Sequence, residues 1–473
     1  MPTPDCATTA IRQTGQRYYY CNCGSGHDAS CVNGSDSNLG TDPAYPRQSI
    51  DDAFTRLNNM NAGDTVALCR GGVWSGGGYI TNTRCSASNP CEFRDYTPSW
   101  ASASTARPRL TATSGTLVGF VNATQGGFRL WNLDLRNGDM NQTDGTLAVF
   151  GDVHDLDVCN VRIEGSYTGM NFQPTSTSPT HMTVRGCQFY NTGFCGFYGG
   201  SPGISITGNY FSNNGLIGSM TMHSVYLISE IGSGNVPPDA SSSATYTFAN
   251  NNVETDSRCG GVMVVVHGVF RNNHLVIENN RIVTASTNQY CYGMQTSGGL
   301  AGAEFHNALI RRNRITTTGQ TAMEFSCCQD CQVSSNLAVN GGMEISTSNC
   351  NPGGFMGARV TLQNNTLYGR GLAVGDQGSS SGYVVENNAV SASGGCFSIS
   401  PGTTRNANNS CNASGMFVDA AGGDFRPANP GPLIGTANQS YFDSTAIGTV
   451  TWSAADAGVS RTTGSVDIGA FER

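Results

Sequence analysis

Asn313-Arg314-Ile315, Asn336-Leu337, Asn365-Thr366-Leu367 and Asn388-Ala389-Val390 are four copies of one phrase, an asparagine followed by a short apolar strand. The phrase also occurs at Asn209-Tyr210-Phe211, Asn252-Val253 and Asn280-Arg281-Ile282, and earlier at Asn160-Val161-Arg162-Ile163. A residue type that returns at one point of a repeating unit marks a solenoid, in which like side chains stack from coil to coil. Asparagine suits this role because its amide both donates and accepts, so each copy can bond to the next as a ladder. From 313 through 336, 365 and 388 to Asn409 the steps are 23, 29, 23 and 21 residues, a length that fits a coil of three short parallel strands. Longer steps, 43 from 209 to 252 and 33 from 280 to 313, predict loops inserted at turns. In solenoids such insertions gather on one face, often the binding one, which directs attention to coils between about 203 and 310.

Composition agrees with a nearly all-β chain. The 473 residues include 61 Gly and only 12% charged residues, rich in turn formers and poor in long helical patterns. No apolar run reaches the roughly 18 residues of a membrane span. Met1 to Ala10 lacks the basic and apolar stretches of a secretory signal, so a processed mature form behind an added methionine is expected. The net charge is −8 and every basic residue is arginine. An acidic, lysine-free surface argues against nucleic-acid binding and excludes a catalytic lysine. A polyanionic substrate would need locally placed arginine or a bound cation.

Eighteen cysteines, with close sets at Cys21/Cys23/Cys31 and Cys85/Cys91, exceed what a reducing compartment tolerates unless they bind metal. The expectation is a secreted, extracellular or periplasmic, disulfide-bonded protein. A metal reading for Cys21-Asn22-Cys23, or for Cys327-Cys328 with Cys331, lacks the second pair or histidine set that zinc requires. Cys85 and Cys91 bracket a turn-like loop that a local disulfide would close. Cys187 falls where an asparagine would stand in the ladder and reads as a small buried residue.

No linker divides the chain, which predicts one domain: an N-terminal segment and cap over about 1–110, coils with inserted loops over about 111–415, and a C-terminal cap over about 416–473. The N-terminal region contains Asn33-Gly34-Ser35-Asp36-Ser37-Asn38-Leu39-Gly40-Thr41, a stretch from Pro46 to Phe54 with the spacing of one short helix, Ala62-Gly63-Asp64-Thr65-Val66, and Gly71-Gly72-Val73-Trp74. With Asp424-Phe425-Arg426-Pro427 and Val466-Asp467-Ile468-Gly469-Ala470-Phe471-Glu472 near the end, this run resembles secreted right-handed parallel β-helix proteins of the pectate-lyase-like superfamily. The resemblance implies a right-handed parallel β-helix with an N-terminal capping helix. It says little of function, because this architecture hosts lyases, hydrolases, epimerases and adhesins. Some lyases of the fold use a lysine base, which this chain lacks; others use arginine, which leaves Arg258, Arg271 and Arg370. The galacturonase-type hydrolase motifs are not found. Asp36 and Asp64 read as turn residues, with calcium the alternative; no cofactor is otherwise implied and a monomer is expected.

A second strand follows the asparagine strand in each coil. Aligning its copies by their small residue and inward apolar pair, strand alternation puts Asn171, Tyr198, Tyr226, Met263, Gln295, Glu324, Glu344 and Ala373 on the outer face. Tyrosine faces suit sugar rings and Gln or Glu bond hydroxyls, so this column predicts a polysaccharide-binding strip, although outward positions of a sheet are by default ordinary solvated surface. Two chemistries compete for it. In one, Tyr226 with His223 carries out β-elimination on a uronic-acid polymer, with Arg258 or a cation neutralising the carboxylate. In the other, Glu324 and Glu344 on adjacent coils form a hydrolase pair. Tyr198, Gln295, Arg258, His267, Glu230 and Asp256 are the substrate-binding candidates, with no metal ligand assigned; a turn histidine bonded to backbone is the plain reading of His223. The functional expectation is a secreted carbohydrate-active enzyme with a lyase ahead of a hydrolase, the rival being a non-catalytic glycan-binding or adhesive solenoid.

Overall fold

A computed structural model describes residues 5–102, 105–121, 126–140, 144–173, 180–201, 203–217, 222–228, 245–255, 259, 261–268, 272–288, 290–298, 305–318, 321–326, 328–345, 359–375, 382–399, 403–434, 436 and 469–470. The chain divides into two compact units, Met1–Ile217 with Glu230–Val236, and Gly218–Ser229 with Pro237–Arg473. Among the described residues the coils contribute strands to three parallel sheets, a first that opens with Arg17–Tyr20, a second with Val73–Ser75 and a third with Gly78–Ile80, and in the second unit Asn272–Asn273, Phe305–His306 and Cys328–Gln329 add a short fourth; the coils wind as a right-handed parallel β-helix.

The corner between the first and second sheets explains the asparagines. In the second unit Asn250, Asn279, Arg312, Ser335, Asn364, Asn387 and Asn408 all have φ between 52° and 57°, the left-handed region. One such residue swings the chain from one sheet to the next, and asparagine adopts that conformation more readily than most residues. The residue that follows turns inward and forms the ladder. Asn313, 1% exposed, accepts on Oδ1 from the backbone N–H and side-chain amide of Asn280 at 3.1 and 2.9 Å. Its own amide donates to Ile277 O at 2.9 Å and to Asn336 Oδ1 at 3.0 Å. The same pattern links Asn251, Asn280, Asn313, Asn336, Asn365, Asn388 and Asn409.

Two positions in the sequence pattern shift by one. The ladder residue is Asn251, whereas Asn252 opens the strand Asn252–Thr255. Asn160 occupies the left-handed corner at φ 53°, so Val161 stands at the inward place. An Asn-Asn doublet carries both roles, and only the turn reveals which residue has which. In the first unit Asn209 accepts from Cys187 N at 2.8 Å, and Cys187 is a fully buried thiol at the ladder position.

Inside, apolar side chains stack in register. In the second unit Ile282, Ile315, Ala338, Leu367 and Val390 follow one another on the second sheet, all fully buried. In the first unit Leu110, Leu135, Ile163, Phe189 and Phe211 do the same, the last two rings stacked at 4.6 Å. Burial of such columns, coil on coil, supplies the hydrophobic stabilisation that a solenoid cannot draw from a central core.

The N-terminal motifs become the cap. The helix Ile50–Asn59 starts at Ser49, whose side chain accepts from Asp52 N, and buries Ile50, Ala53, Phe54 and Leu57. Asp36 accepts the backbone N–H groups of Gln48 and Ser49 at 2.9 and 3.0 Å, and Asp64 those of Gln16 and Asn61 at 2.7 and 2.8 Å. Trp74 is buried and donates to Gln48 O. At the other end Phe417–Asp419 and Asp424–Pro427 form an antiparallel pair, and Phe425 packs against Leu337 and Ala470. Of the closing motif only Gly469 and Ala470 are among the described residues.

Disulfides join Cys6–Cys159, Cys21–Cys69, Cys23–Cys31, Cys85–Cys91, Cys259–Cys291 and Cys396–Cys411. Pairing removes Cys21 and Cys23 as metal ligands; Cys328 and Cys331 are buried thiols, and Cys327 lies outside the described residues. These bridges fit an oxidising extracellular or periplasmic setting. No helix among the described residues is long and apolar enough to cross a membrane.

The ladder generates a stability prediction. Asn336→Ala strands a buried N–H and two amide groups on neighbouring coils, at a cost on the order of 3 kcal/mol. The thermal unfolding midpoint should fall clearly below that of the wild type, whereas Asn406→Ala, which removes only an exposed bond to Asn409 at the end of the ladder, should lower it far less.

Candidate functional site

The third sheet of the second unit comprises Val225–Ile228, Val264–Gly268, Met294–Gly298, Thr321–Phe325, Gly342–Ile345, Leu372–Val374 and Phe397–Ile399. Val225, Leu227, Met294, Met323 and Met343 are buried inside, which turns the alternate residues outward. The outward row, read from the strand register, is Tyr226, Val265, Gln295, Glu324, Glu344, Ala373 and Ser398. Met263 is therefore not in the column. Its coil enters the sheet two residues later, an offset that preserves the in-out alternation and so leaves no trace in the hydrophobic pattern. Tyr198 belongs to the first unit, where it is half-buried, pairs in register with Asn171 and packs near Phe194.

Two residues beyond Val265, His267 points to the same side of the sheet, diagonal to Tyr226. The Tyr226 hydroxyl and His267 Nδ1 are 2.7 Å apart, with ring centroids at 5.0 Å and planes at 72°. Diagonal neighbours on adjacent strands lie within reach of an aromatic side chain. Burial lowers the His267 pKa, so its imidazole is neutral at pH 7. His223 lies on the other side of Tyr226, with ring centroids at 5.1 Å. Its Nδ1 is 2.7 Å from Val262 O; a carbonyl can only accept, so Nδ1 carries the proton. Burial, opposed by that hydrogen bond, pushes the His223 pKa down to about 4. Tyr226 thus bonds to His267, and the nearly buried His223 packs against its ring and bonds to the backbone.

Farther along the row Gln295 Nε2 donates to Glu324 Oε2 at 2.8 Å. Glu324 is 6% exposed, whereas its register partner Glu344 on the next coil is exposed. Tyr292 completes this end: burial, then the charges of Glu324 and Glu344, raise its pKa, against a hydrogen bond with the Thr321 side chain. Sequence reasoning missed Tyr292 because it precedes the strand. Its signal was its place beside Cys291, whose disulfide to Cys259 anchors this turn. Arg370 is exposed; Glu230, Asp256, Arg258 and Arg271 lie outside the described residues.

No family model matches the chain, and neither does any curated protein. Solved structures do. A GH136 lacto-N-biosidase from Eubacterium ramulus matches at 14% identity over 84% of this chain and 68% of its own, with a TM-score of 0.40. A PL6 family polysaccharide lyase from Pseudopedobacter saltans matches at 13% identity over 79% and 94%, with a TM-score of 0.42. The A-module of a mannuronan C-5 epimerase from Azotobacter vinelandii matches at 12% identity over 76% and 93%, with a TM-score of 0.44.

The buried histidine predicts a pH dependence. Its folded pKa near 4 lies below the ordinary value of 6.5, so the unfolded chain binds the proton more readily. His223 therefore contributes stability that is full above pH 6.5 and is lost as the pH falls toward 4, about 3 kcal/mol over that window. Unfolding followed at successive pH values should show this loss, and His223→Gln should flatten it.

Proposed function

We propose that this protein is a secreted carbohydrate-active enzyme that cleaves a uronic-acid-containing polysaccharide by β-elimination, with Tyr226 and His267 as its proton-transfer pair. The observation that carries the reading is the 2.7 Å contact between the Tyr226 hydroxyl and His267 Nδ1 on the outer face of a flat parallel sheet. Neutral His267 takes the C5 proton of the uronate on Nε2. As the C4–O4 bond breaks and the C4=C5 double bond forms, Tyr226 delivers its hydroxyl proton to O4. The Nδ1 proton of His267 then passes to the Tyr226 oxygen, restoring both neutral side chains. His223 holds the Tyr226 ring, while Gln295, Glu324 and Tyr292 offer hydrogen bonds to sugar hydroxyls along the strip. The counter-charge for the uronate carboxylate is assigned to Arg258 or to a bound cation.

A second reading, glycoside hydrolysis, has its own support. Glu324 and Glu344 are register partners on neighbouring coils, about 4.8 Å apart at the backbone, and retaining hydrolases hold their carboxyl groups roughly 5–5.5 Å apart. Burial of one and exposure of the other suit an acid and a nucleophile. The arrangement favours elimination because Glu324 already accepts from Gln295, whereas Tyr226 and His267 are joined to each other.

Incubation with a panel of uronic-acid and neutral polysaccharides separates the readings. A lyase produces the ultraviolet absorbance of an unsaturated uronide, a hydrolase produces reducing ends without it, and a binding solenoid produces neither. Under the elimination reading Tyr226→Phe and His267→Gln each lower the rate by roughly 10²–10⁴-fold, while Glu344→Gln retains most of it. Full activity in Tyr226→Phe would sink this assignment.

A further inference from the structure

The outward row of the third sheet continues past Tyr226 to a second group of side chains. Register runs from Tyr226 through Val265 and Gln295 to Glu324 and then Glu344. At about 4.8 Å per coil, Glu324 lies roughly 14 Å along the row from Tyr226, and Glu344 about one coil farther. A pyranose unit of an extended chain advances by about one coil spacing. A polysaccharide laid along the row with one unit at Tyr226 therefore sets another unit of the same chain against the two glutamates.

Charge decides what that unit is. Glu324 accepts from Gln295 Nε2 at 2.8 Å, a bond that favours the ionised carboxylate, and Glu344 stands exposed in register beside it. Arg370, exposed in the turn ahead of Leu372–Val374, is one positive charge against these two. The segments that follow the strands at this end, 299–304, 346–358 and 376–381, contain no arginine or histidine and add Glu304 and Asp376. A uronate carboxylate set here would be a third negative charge in line, and like charges brought side by side oppose binding.

The same groups suit a sugar that carries only hydroxyls. An ionised carboxylate is purely an acceptor with two oxygens, so exposed Glu344 can take both O–H donors of a vicinal diol. Tyr290, 47% exposed, and the half-buried Tyr292 share one turn, in which Tyr292 N donates to Tyr290 O at 3.0 Å and Cys291 between them is bonded to Cys259. Burial, and then the charges of Glu324 and Glu344, raise the Tyr292 pKa, so the phenol stays a donor close to both carboxylates. Aromatic surface takes the apolar face of a pyranose, and the carboxylates take its hydroxyls.

We propose that Glu324, Glu344, Tyr290 and Tyr292 form a subsite that accepts an uncharged sugar and rejects a uronate, so that the substrate is a mixed polysaccharide in which neutral units separate the uronates. The inference rests on the elimination reading of Tyr226 and His267 and narrows its substrate class. Glu344 is the specificity-determining residue. A homopolyuronate carries a carboxylate on every unit, so seating any one of them at Tyr226 drives another against the glutamates.

Binding and elimination are measured side by side on the full chain, with deacetylated gellan and hyaluronan as mixed polymers and polygalacturonate and polymannuronate as homopolyuronates. Each is run in EDTA and again with calcium chloride. A mixed polymer should bind at least tenfold more tightly than either homopolyuronate under both conditions. Glu344→Gln, which removes the charge at constant shape, should tighten homopolyuronate binding at least fivefold. Raising the salt should narrow the wild-type preference, because exposed charges are screened, and should change Glu344→Gln far less. Asp51→Asn, which removes the same charge from an exposed position on the cap helix, should leave the preference unchanged. Binding of homopolyuronates equal to or tighter than that of both mixed polymers, no binding of a mixed polymer, an unaltered preference in Glu344→Gln, or the same shift in Asp51→Asn would each overturn the proposal. A preference that reverses with calcium would make the glutamates a cation site and likewise overturn it. The preference without any unsaturated product would sink the elimination reading and leave the subsite standing; unsaturated product formed as fast from a homopolyuronate as from a mixed polymer would do the opposite.

Discussion

The rest of the structure depends on one left-handed residue per coil and the buried asparagine that follows it. The left-handed residue sets the angle between the first and second sheets, and the asparagine amide ties that corner to the corners above and below. In the second unit Asn280, Asn313, Asn336, Asn365 and Asn388 each bond to a carbonyl on the preceding coil and to the next asparagine. A buried amide that missed these partners would cost more than the corner could recover. The register of every coil is thereby pinned at one point, and the strands on either side inherit it.

Pinned register is what gives the third sheet its chemistry. Side chains far apart in sequence come to lie one strand apart: Gln295 beside Glu324, Glu324 beside Glu344. Parallel pairing places like positions side by side, so a carboxylate ladder or an aromatic strip follows from repetition alone. The difference between Glu324 and Glu344 comes from the surroundings. Glu324 is covered and bonded to Gln295, whereas Glu344 stands in solvent. Tyr292, held beside the Cys259–Cys291 disulfide, senses both charges.

Much of this was legible beforehand. The recurring Asn followed by an apolar strand was enough to specify a parallel β-helix, and the pattern around Gly293-Met294-Gln295 and Ala322-Met323-Glu324 placed Gln295, Glu324 and Glu344 in one outward row. Two kinds of information were not legible. An Asn-Asn doublet does not say which member turns the corner, so Asn252 stood in for Asn251. A coil entering its sheet two residues late keeps its alternation, so Met263 stood in for Val265 and the diagonal from Tyr226 to His267 stayed hidden. The partner expected for Tyr226 was His223, its near neighbour in sequence; the hydroxyl instead reaches across to the next coil.

The amino-acid sequence by itself determined the architecture: the solenoid, the asparagine ladder, a short helix in the stretch from Pro46 to Phe54, the local Cys85–Cys91 bridge, and the outward direction of the row from Gln295 to Glu344. These follow from short-range preferences repeated many times, where each copy supports the reading of the others. Only the tertiary structure decided which groups touch. The Tyr226–His267 contact, the hydrogen bond from His223 to Val262 O, and the Cys6–Cys159 bridge join residues 41, 39 and 153 positions apart. Such contacts depend on loop length and register between coils, and no local pattern of side chains encodes either.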